Sequence, residues 1–220
     1  MTIGFILLIV ITLLIVFGVA HRVLDRLRLT DRQALIFVAL LFIGGLIPDI
    51  PMGPVTVNVG GALIPVGLCV YLLIRAGTAK EVIRALVASV LTAVGVYWLG
   101  RLFPNEPAAM PMDINYLYGL IGGAIAYIFG RSRRASFVAA VLGSVFADFW
   151  QAGEMWYAGV NQTLALGGAG AYDTIVISGF VAVLLAELVG EFIERATRGR
   201  RSDHKREFVG GEFIEREGEK

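Results

Sequence analysis

Cysteine and histidine are nearly missing from this sequence of 220 residues, which contains one cysteine and two histidines. A single cysteine, Cys69, excludes a disulfide within the chain, and its apolar surroundings predict a small hydrophobic side chain. His21 and His204 are too far apart in sequence to indicate a histidine metal site. The sequence also lacks a metal-ligand cluster, a nucleotide-phosphate loop and a nucleophile elbow. We therefore expect no metal, no cofactor and no nucleic-acid partner.

Charged residues are scarce, at 17% of the chain, whereas hydrophobic residues make up 57% and the mean hydropathy is +0.75. The apolar residues lie in long runs separated by short charged connectors, which indicates a polytopic protein of the lipid bilayer. We predict an all-α fold of about seven transmembrane helices within residues 1–194. The predicted spans cover roughly residues 3–20, 34–48, 61–75, 82–102, 114–130, 136–157 and 170–193. The first span lacks a basic leader and a small-residue cleavage site, so we interpret it as a retained helix.

The charges of the connectors predict the orientation of the chain. Basic residues crowd the connectors after spans one, three, five and seven, whereas Arg101 is the one basic residue of the alternate connectors. Those alternate connectors instead carry Asp49, Glu106, Asp113 and Glu154. The positive-inside rule then places the N-terminus outside and the C-terminus in the cytoplasm of a cell with an inner, or plasma, membrane.

Residues 195–220 are charged throughout and predict a cytoplasmic tail that is partly disordered. The sequence "GEFIER" occurs in it at 211–216 and also at 190–195. We expect the second copy to form a short amphipathic turn on the membrane surface, unless the similarity arose by chance.

Glycine and proline interrupt the chain between spans two and three. "GGLIP" ends the second span and "GGALIP" opens the third, with "DIPMGPVTVNV" between them. The β-branched alternation predicts a short re-entrant segment or hairpin, and such backbone is tolerated in a membrane only against protein or water. We expect residues 49–60 to fold over the outer mouth of a site, with Asn58 contributing its amide.

Two aspartates, Asp148 in span six and Asp173 at the start of span seven, are placed by the topology in the outer half of the bilayer on adjacent antiparallel helices. Carboxylates within spans cost about 2.5–3.5 kcal/mol each and face a partner or water. Two carboxylates brought together in such a site cannot both ionise easily, so they share a proton. An aspartic protease uses this arrangement, and so does a proton or cation carrier. Alternatively, Asp173 caps the helix that follows it.

The segments around these aspartates, "ADFW" and "GAGAYDTIVISGFVAVLLAEL", resemble the two catalytic segments of the signal peptide peptidase and presenilin class of intramembrane aspartic proteases. The resemblance implies that Asp148 and Asp173 are the catalytic aspartates and that Gly168 and Gly170 form a flexible approach to the second. "GALIP", with Gly61 and Pro65, would line the site from an earlier span. Ala147 stands where that class has tyrosine, and Tyr172 stands where it has glycine, so Tyr172 would line the site too.

Separately, the ensemble "VNVGGALIP", "GGAGAYD" and "SGFVAVLLAE" is similar to an uncharacterised family of prokaryotic multi-pass membrane proteins, a likeness that implies no activity. Three functions therefore remain open. An intramembrane aspartic protease would act on the transmembrane helices of substrate proteins. A proton- or cation-coupled transporter or channel would use the same aspartates beside a solvated path. A non-enzymatic membrane scaffold needs neither, and the oligomeric state is open in every case.

Overall fold

The computed structural model describes residues 29–102, 114–130, 132–198, 206–209 and 212–215, and these residues are mostly helical. They contain six α-helices: α1 (Asp31–Gly45), α2 (Ile64–Ile74), α3 (Ala79–Leu102), α4 (Ile114–Gly130), α5 (Arg133–Tyr157) and α6 (Thr174–Arg198). A five-residue π-helical turn, Val59–Leu63, runs directly into α2. Each helix coincides with one of the last six predicted spans, to within a few residues. The first predicted span, 3–20, lies outside the described residues.

Two of these helices, α3 and α5, are long and apolar enough to cross a membrane by length and composition. The remaining apolar helices are shorter, at 10–17 residues: Arg32–Gly45, Val59–Ile74, Leu117–Gly130 and Thr174–Gly190. Helices α3, α4 and α5 pack against one another. Large apolar side chains such as Ile83, Val87 and Val90 remain exposed on α3, which is the arrangement expected of a helix with one face toward lipid.

Side-chain caps explain where the helices begin. Thr30 and Gln33 form a reciprocal capping box at α1, with N···O distances of 3.3 and 2.9 Å. The hydroxyl of Ser132 accepts the Ala135 N–H at the start of α5. At α3 the hydroxyl of Thr78 accepts the Glu81 N–H. These bonds satisfy backbone donors that have no partner inside the helix, and so they fix the helix boundaries.

The hairpin predicted between α1 and α2 is present. Strand β1 (Ile50–Met52) pairs antiparallel with β2 (Val55–Val57), and Gly53 adopts φ +67° in the turn. The sheet has a third strand that the sequence pattern did not indicate, β3 (Leu164–Leu166), which pairs parallel with β2. The hairpin is thereby attached to the segment that leads from α5 into α6.

Six glycines allow three segments at helix ends to come into backbone contact. They are Gly44 and Gly45 at the end of α1, Gly60 and Gly61 in the π-helical turn, and Gly167 and Gly170 before α6. A Cβ atom on Gly60 would lie well inside 3.0 Å of the α1 backbone, and one on Gly61 would overlap the backbone of Gly167 in the same way. Gly167 and Gly170 also have positive φ, +69° and +61°. Only glycine permits both the approach and these backbone angles. We call this contact the glycine crossing.

Small residues also let the helices approach one another closely. On α4, Gly119 and Gly123 lie against Ile177 and Val181 of α6, and a Cβ on either would come within 3.0 Å of those side chains. Gly143 of α5 is in the same position against Thr92 of α3.

The described residues fall into two compact units that divide between Ala186 and Glu187. In the second unit α6 continues to Arg198, past the predicted start of the tail at residue 195. Strands β4 (Arg206–Val209) and β5 (Glu212–Glu215) pair as an antiparallel hairpin. The expected amphipathic turn at the second "GEFIER" copy is therefore wrong, since that copy contributes a strand. The missed signal is the Gly-Gly pair at residues 210–211 between two short apolar pairs, because Gly-Gly is a common two-residue hairpin loop.

Candidate functional site

A polar stripe on α5 contains Ser144, Asp148, Gln151 and Glu154, and their spacing of four, three and three residues places them on one helical face. This face lines a chamber of about 740 Å³. The opposite walls come from α3, α4 and the start of α6, through Val96, Tyr97, Gly100, Arg101, Tyr118 and Thr174. The chamber has the volume of a small-molecule or peptide site and combines apolar walls with a few polar groups.

A second cavity of about 240 Å³ adjoins Asp148 on the side of β3. It shares Asp148, Gln151 and Met155 with the chamber, and its other wall is formed by residues 162–165, which include the start of β3. Asp148 therefore lies between two cavities and is accessible from both.

The carboxylate of Asp148 is partly buried, and no hydrogen bond joins it to the residues the structure describes. Asp173 lies beside the same chamber, because Thr174, the next residue, is on the chamber wall with Asp148. The residues that the sequence predicted as a pair are thus brought into one region, on neighbouring antiparallel helices. A partly buried carboxylate without a hydrogen-bond donor costs folding free energy. Such a group is typical of a site that binds a ligand or a proton.

Asp173 is the N-cap of α6, as the structural interpretation of this residue predicted. Its Oδ1 atom accepts the Ile175 N–H at 3.0 Å, and Oδ2 accepts the Ala169 N–H at 3.3 Å. Its backbone carbonyl accepts the first helical N–H, from Ile177. These bonds fix the orientation of the carboxylate. A carboxylate has about four acceptor positions, so two amide bonds leave one position on each oxygen for water or substrate.

Asn58, one of the predicted site-lining residues, holds the hairpin, the π-helical turn and β3 together. It is buried: Oδ1 accepts the Gly61 N–H at 2.9 Å, Nδ2 donates to Asp49 at 2.7 Å, and its backbone N–H donates to Leu166. Its amide is thus directed to Asp49 and the π-helical turn, and it joins the hairpin to β3.

The other predicted lining residues lie in the glycine crossing, in α2 and in the loop before Asp173. Gly61 and Gly170 belong to the glycine crossing, and Pro65 is buried in the first turn of α2. Gly168 is exposed in the loop, and Tyr172 is half-buried against the core. None of these residues lines either of the two cavities beside Asp148. They do not form the walls around the first aspartate.

Sequence reasoning missed an ion pair on the chamber wall. Arg101 of α3 places Nη2 at 2.9 and 2.7 Å from the two carboxylate oxygens of Glu154 on α5. The Tyr97 hydroxyl donates to the same carboxylate, and the Arg101 guanidinium lies 4.9 Å from the centre of the Tyr97 ring. We call these three residues the clasp. The available signal was Arg101 itself, because it is the one basic residue in the predicted outer connectors.

A second missed contact lies one helical turn from Asp148. The buried hydroxyls of Ser144 on α5 and Ser178 on α6 are 3.0 Å apart, and Ser178 also donates to the carbonyl of Ile175. This bond joins the helices that carry the two aspartates and holds their spacing. No group of three His, Cys, Asp or Glu side chains within the described ranges is placed to hold a metal ion.

A sequence profile described as "protein of unknown function (DUF1614)" matches residues 21–185 of the chain. No curated protein and no solved structure matches it significantly.

Proposed function

Because the chain belongs to the DUF1614 family of proteins of unknown function, we propose its function from the site: it is an intramembrane aspartic endopeptidase with Asp148 and Asp173 as the catalytic pair. One observation carries the proposal, namely that two partly buried carboxylates on antiparallel helices meet at one chamber, which Asp148 lines directly and Asp173 adjoins through Thr174. The proposed substrates are transmembrane helices of other proteins, which the 740 Å³ chamber would receive over a short unwound segment.

The different environments of the two aspartates assign their roles in this proposal. Asp173 accepts two backbone N–H bonds and is the ionised member, so it takes a proton from the attacking water. Asp148 has no donor within the described residues and carries the proton, which it gives to the carbonyl oxygen of the scissile peptide as water oxygen bonds to the carbonyl carbon. Collapse of the resulting diol breaks the C–N bond: the proton held by Asp173 passes to the leaving nitrogen, and one hydroxyl proton of the diol returns to Asp148 as the carbonyl re-forms. The products are one carboxylic acid and one amine.

The proposed setting is a plasma membrane crossed by seven helices, with the N-terminus outside and the C-terminus in the cytoplasm. The charge pattern of the connectors supports this orientation, and the two helices that are long and apolar enough to cross a membrane support a membrane setting. In this orientation the hairpin, the clasp and both aspartates lie in the outer half of the bilayer.

Reporter fusions test this orientation. Fusions in the connector at residues 131–134 and after Arg201 are expected to report the cytoplasm, whereas a fusion within residues 103–113 is expected to report the outside. An external signal at either of the first two positions would reverse the orientation and move the catalytic pair to the inner half.

The hydrolytic step is tested with purified protein in lipid vesicles that contain a panel of single transmembrane helices. In water enriched in ¹⁸O, the proposal expects cleavage with one ¹⁸O atom in each new carboxyl group, measured by mass spectrometry of the fragments. Fragments without the label, or no cleavage of any helix, would contradict it.

A second candidate function, a proton- or cation-coupled carrier, is favoured by a different observation. Asp148 has no hydrogen-bond partner among the described residues and lies between two cavities, an arrangement that suits a group that binds and releases a proton or cation. In this alternative Asp173 is only the N-cap of α6. The two proposals differ on whether Asp173 is chemically required.

A further inference from the structure

We infer that the clasp is a recognition site for the carboxylate of a ligand, and that Glu154 occupies this site as an internal, displaceable carboxylate. Arg101 lines the chamber and holds both oxygens of the Glu154 carboxylate through Nη2. The Tyr97 hydroxyl adds a third donor to the same group. Arginine and a hydroxyl aimed at one carboxylate are the chemistry with which proteins bind a free carboxylate.

The ion pair is poorly placed to act as a structural bond. The side chains of Arg101 and Glu154 are 57% and 44% exposed, and ion pairs that are exposed to this degree contribute little to stability. Exchange of Glu154 for another carboxylate therefore costs little. Arg101 also departs from the charge pattern of the predicted outer connectors, where it is the one basic residue. A ligand contact accounts for its presence on that side better than an exposed ion pair does.

The chamber specifies the rest of the ligand. Val96, Tyr118 and Met155 present apolar and aromatic surface to it. Glu154 lies six residues beyond Asp148 on α5, so a ligand that contacts Arg101 and reaches Asp148 spans about 9 Å along the helix. An extended segment of three residues has about this length. The ligand class is thus a carboxylate with an apolar body, either a peptide C-terminus or a free carboxylic acid.

The test is a binding titration of the purified full chain in nanodiscs. The probes are an N-acetylated alanine–valine–leucine tripeptide with a free carboxylate, the same tripeptide as its C-terminal amide, and hexanoate. Tryptophan fluorescence reports binding, because the Trp150 and Tyr97 rings lie 5.2 Å apart. The tripeptide acid is expected to bind at least about tenfold more tightly than its amide. Equal binding of acid and amide by the wild type overturns the inference and needs no variant.

Variants of the two partners give opposite expected results. Arg101→Gln should weaken binding of the acid by about tenfold, and Arg101→Lys, which keeps the charge but loses the fork, should give an intermediate loss. Glu154→Gln should instead tighten binding about threefold, because the internal competitor is gone. A structural ion pair would respond to the loss of either partner in the same direction, so similar effects of Arg101→Gln and Glu154→Gln on binding would also overturn the inference.

Hexanoate separates the two ligand sources. Binding of hexanoate as tight as that of the tripeptide acid, and equally sensitive to Arg101→Gln, identifies a site for simple carboxylic acids. Tighter binding of the tripeptide identifies a peptide C-terminus. The inference does not rest on the proposed proteolysis, and its failure is distinguishable from that of the protease. Acid-selective binding without any cleavage would support the carboxylate site and contradict the proposed protease. Cleavage without acid selectivity would support the protease and contradict the carboxylate site.

Discussion

Replacing either Asp148 or Asp173 with asparagine is expected to lower the rate of transmembrane-helix cleavage by at least about a thousandfold, to nearly the level of the double variant. Each change removes one half of a unit that must both accept a proton from water and donate one to the carbonyl oxygen. Asparagine is nearly isosteric with aspartate and introduces no charge at either position, so the protein is expected to remain folded. Initial cleavage rates in lipid vesicles measure the effect.

Asp173→Asn is the more informative of the two variants. Asparagine is a good N-cap, so the contact of residue 173 with the Ile175 N–H is expected to persist. Loss of cleavage with an unchanged melting temperature therefore assigns chemistry to Asp173 beyond capping. Glu81→Gln is the matched control, since Glu81 is a carboxylate outside the chamber, 3.5 Å from Arg134, and its loss is expected to leave cleavage intact. Wild-type cleavage by Asp173→Asn would reduce this residue to a helix cap.

Gly61→Ala is expected to prevent stable folding, with a loss of at least about 3 kcal/mol in the free energy of unfolding. Overpacking of a side chain usually costs about 1–3 kcal/mol because neighbours can shift. Here the new methyl group would meet the backbone of Gly167, which is in turn held against Ala62. Neither segment can move without breaking the bonds of Asn58 to Gly61 and Leu166.

Gly67→Ala provides the control within the same helix. Gly67 is exposed, and nothing lies within 4 Å of a Cβ atom at this position. Alanine has the higher helix propensity, so this variant is expected to be as stable as the wild type or up to about 1 kcal/mol more stable. Melting curves in detergent compare the two variants. Equal stability of Gly61→Ala and Gly67→Ala would show that the glycine crossing does not require glycine.

The helices and the hairpin could be predicted from the sequence because their signals are local. Apolar runs and caps such as Thr78 identify the helices, and prolines with a β-branched alternation identify the β1–β2 hairpin. The position of Asp173 at the start of a helix also followed from the glycine-rich segment before it. The resemblance to an uncharacterised family of prokaryotic membrane proteins agrees with the DUF1614 match, which assigns no activity and does not extend to the intramembrane aspartic proteases.

The remaining features depend on contacts between distant parts of the chain, for which one sequence carries no signal. The parallel pairing of Val57 with Leu166 joins segments that are far apart in sequence. Each segment of the glycine crossing contains glycines of the kind that commonly end a helix, and nothing local shows that Gly61 contacts Gly167. The same applies to Asn58, whose predicted partners were the aspartates of the site and whose observed side-chain partners are Asp49 and the Gly61 N–H.

The polar stripe on α5 is an intermediate case. Its spacing from Ser144 to Glu154 is a helical periodicity that the sequence does contain. The partner of this face, with Tyr97 and Arg101 of α3, depends on how the two helices pack. Periodicity could therefore have predicted a polar face, but not the chamber beside it.

A single vesicle experiment tests the catalytic pair most directly. Purified wild-type protein is reconstituted with a transmembrane-helix substrate and an internal pH dye, and fragments and internal pH are followed together under an imposed proton gradient. The protease proposal predicts fragments that disappear in both Asp148→Asn and Asp173→Asn, with no proton flux beyond that of protein-free vesicles. Proton flux that depends on Asp148 but not on Asp173, with the substrate helix left intact, would contradict it.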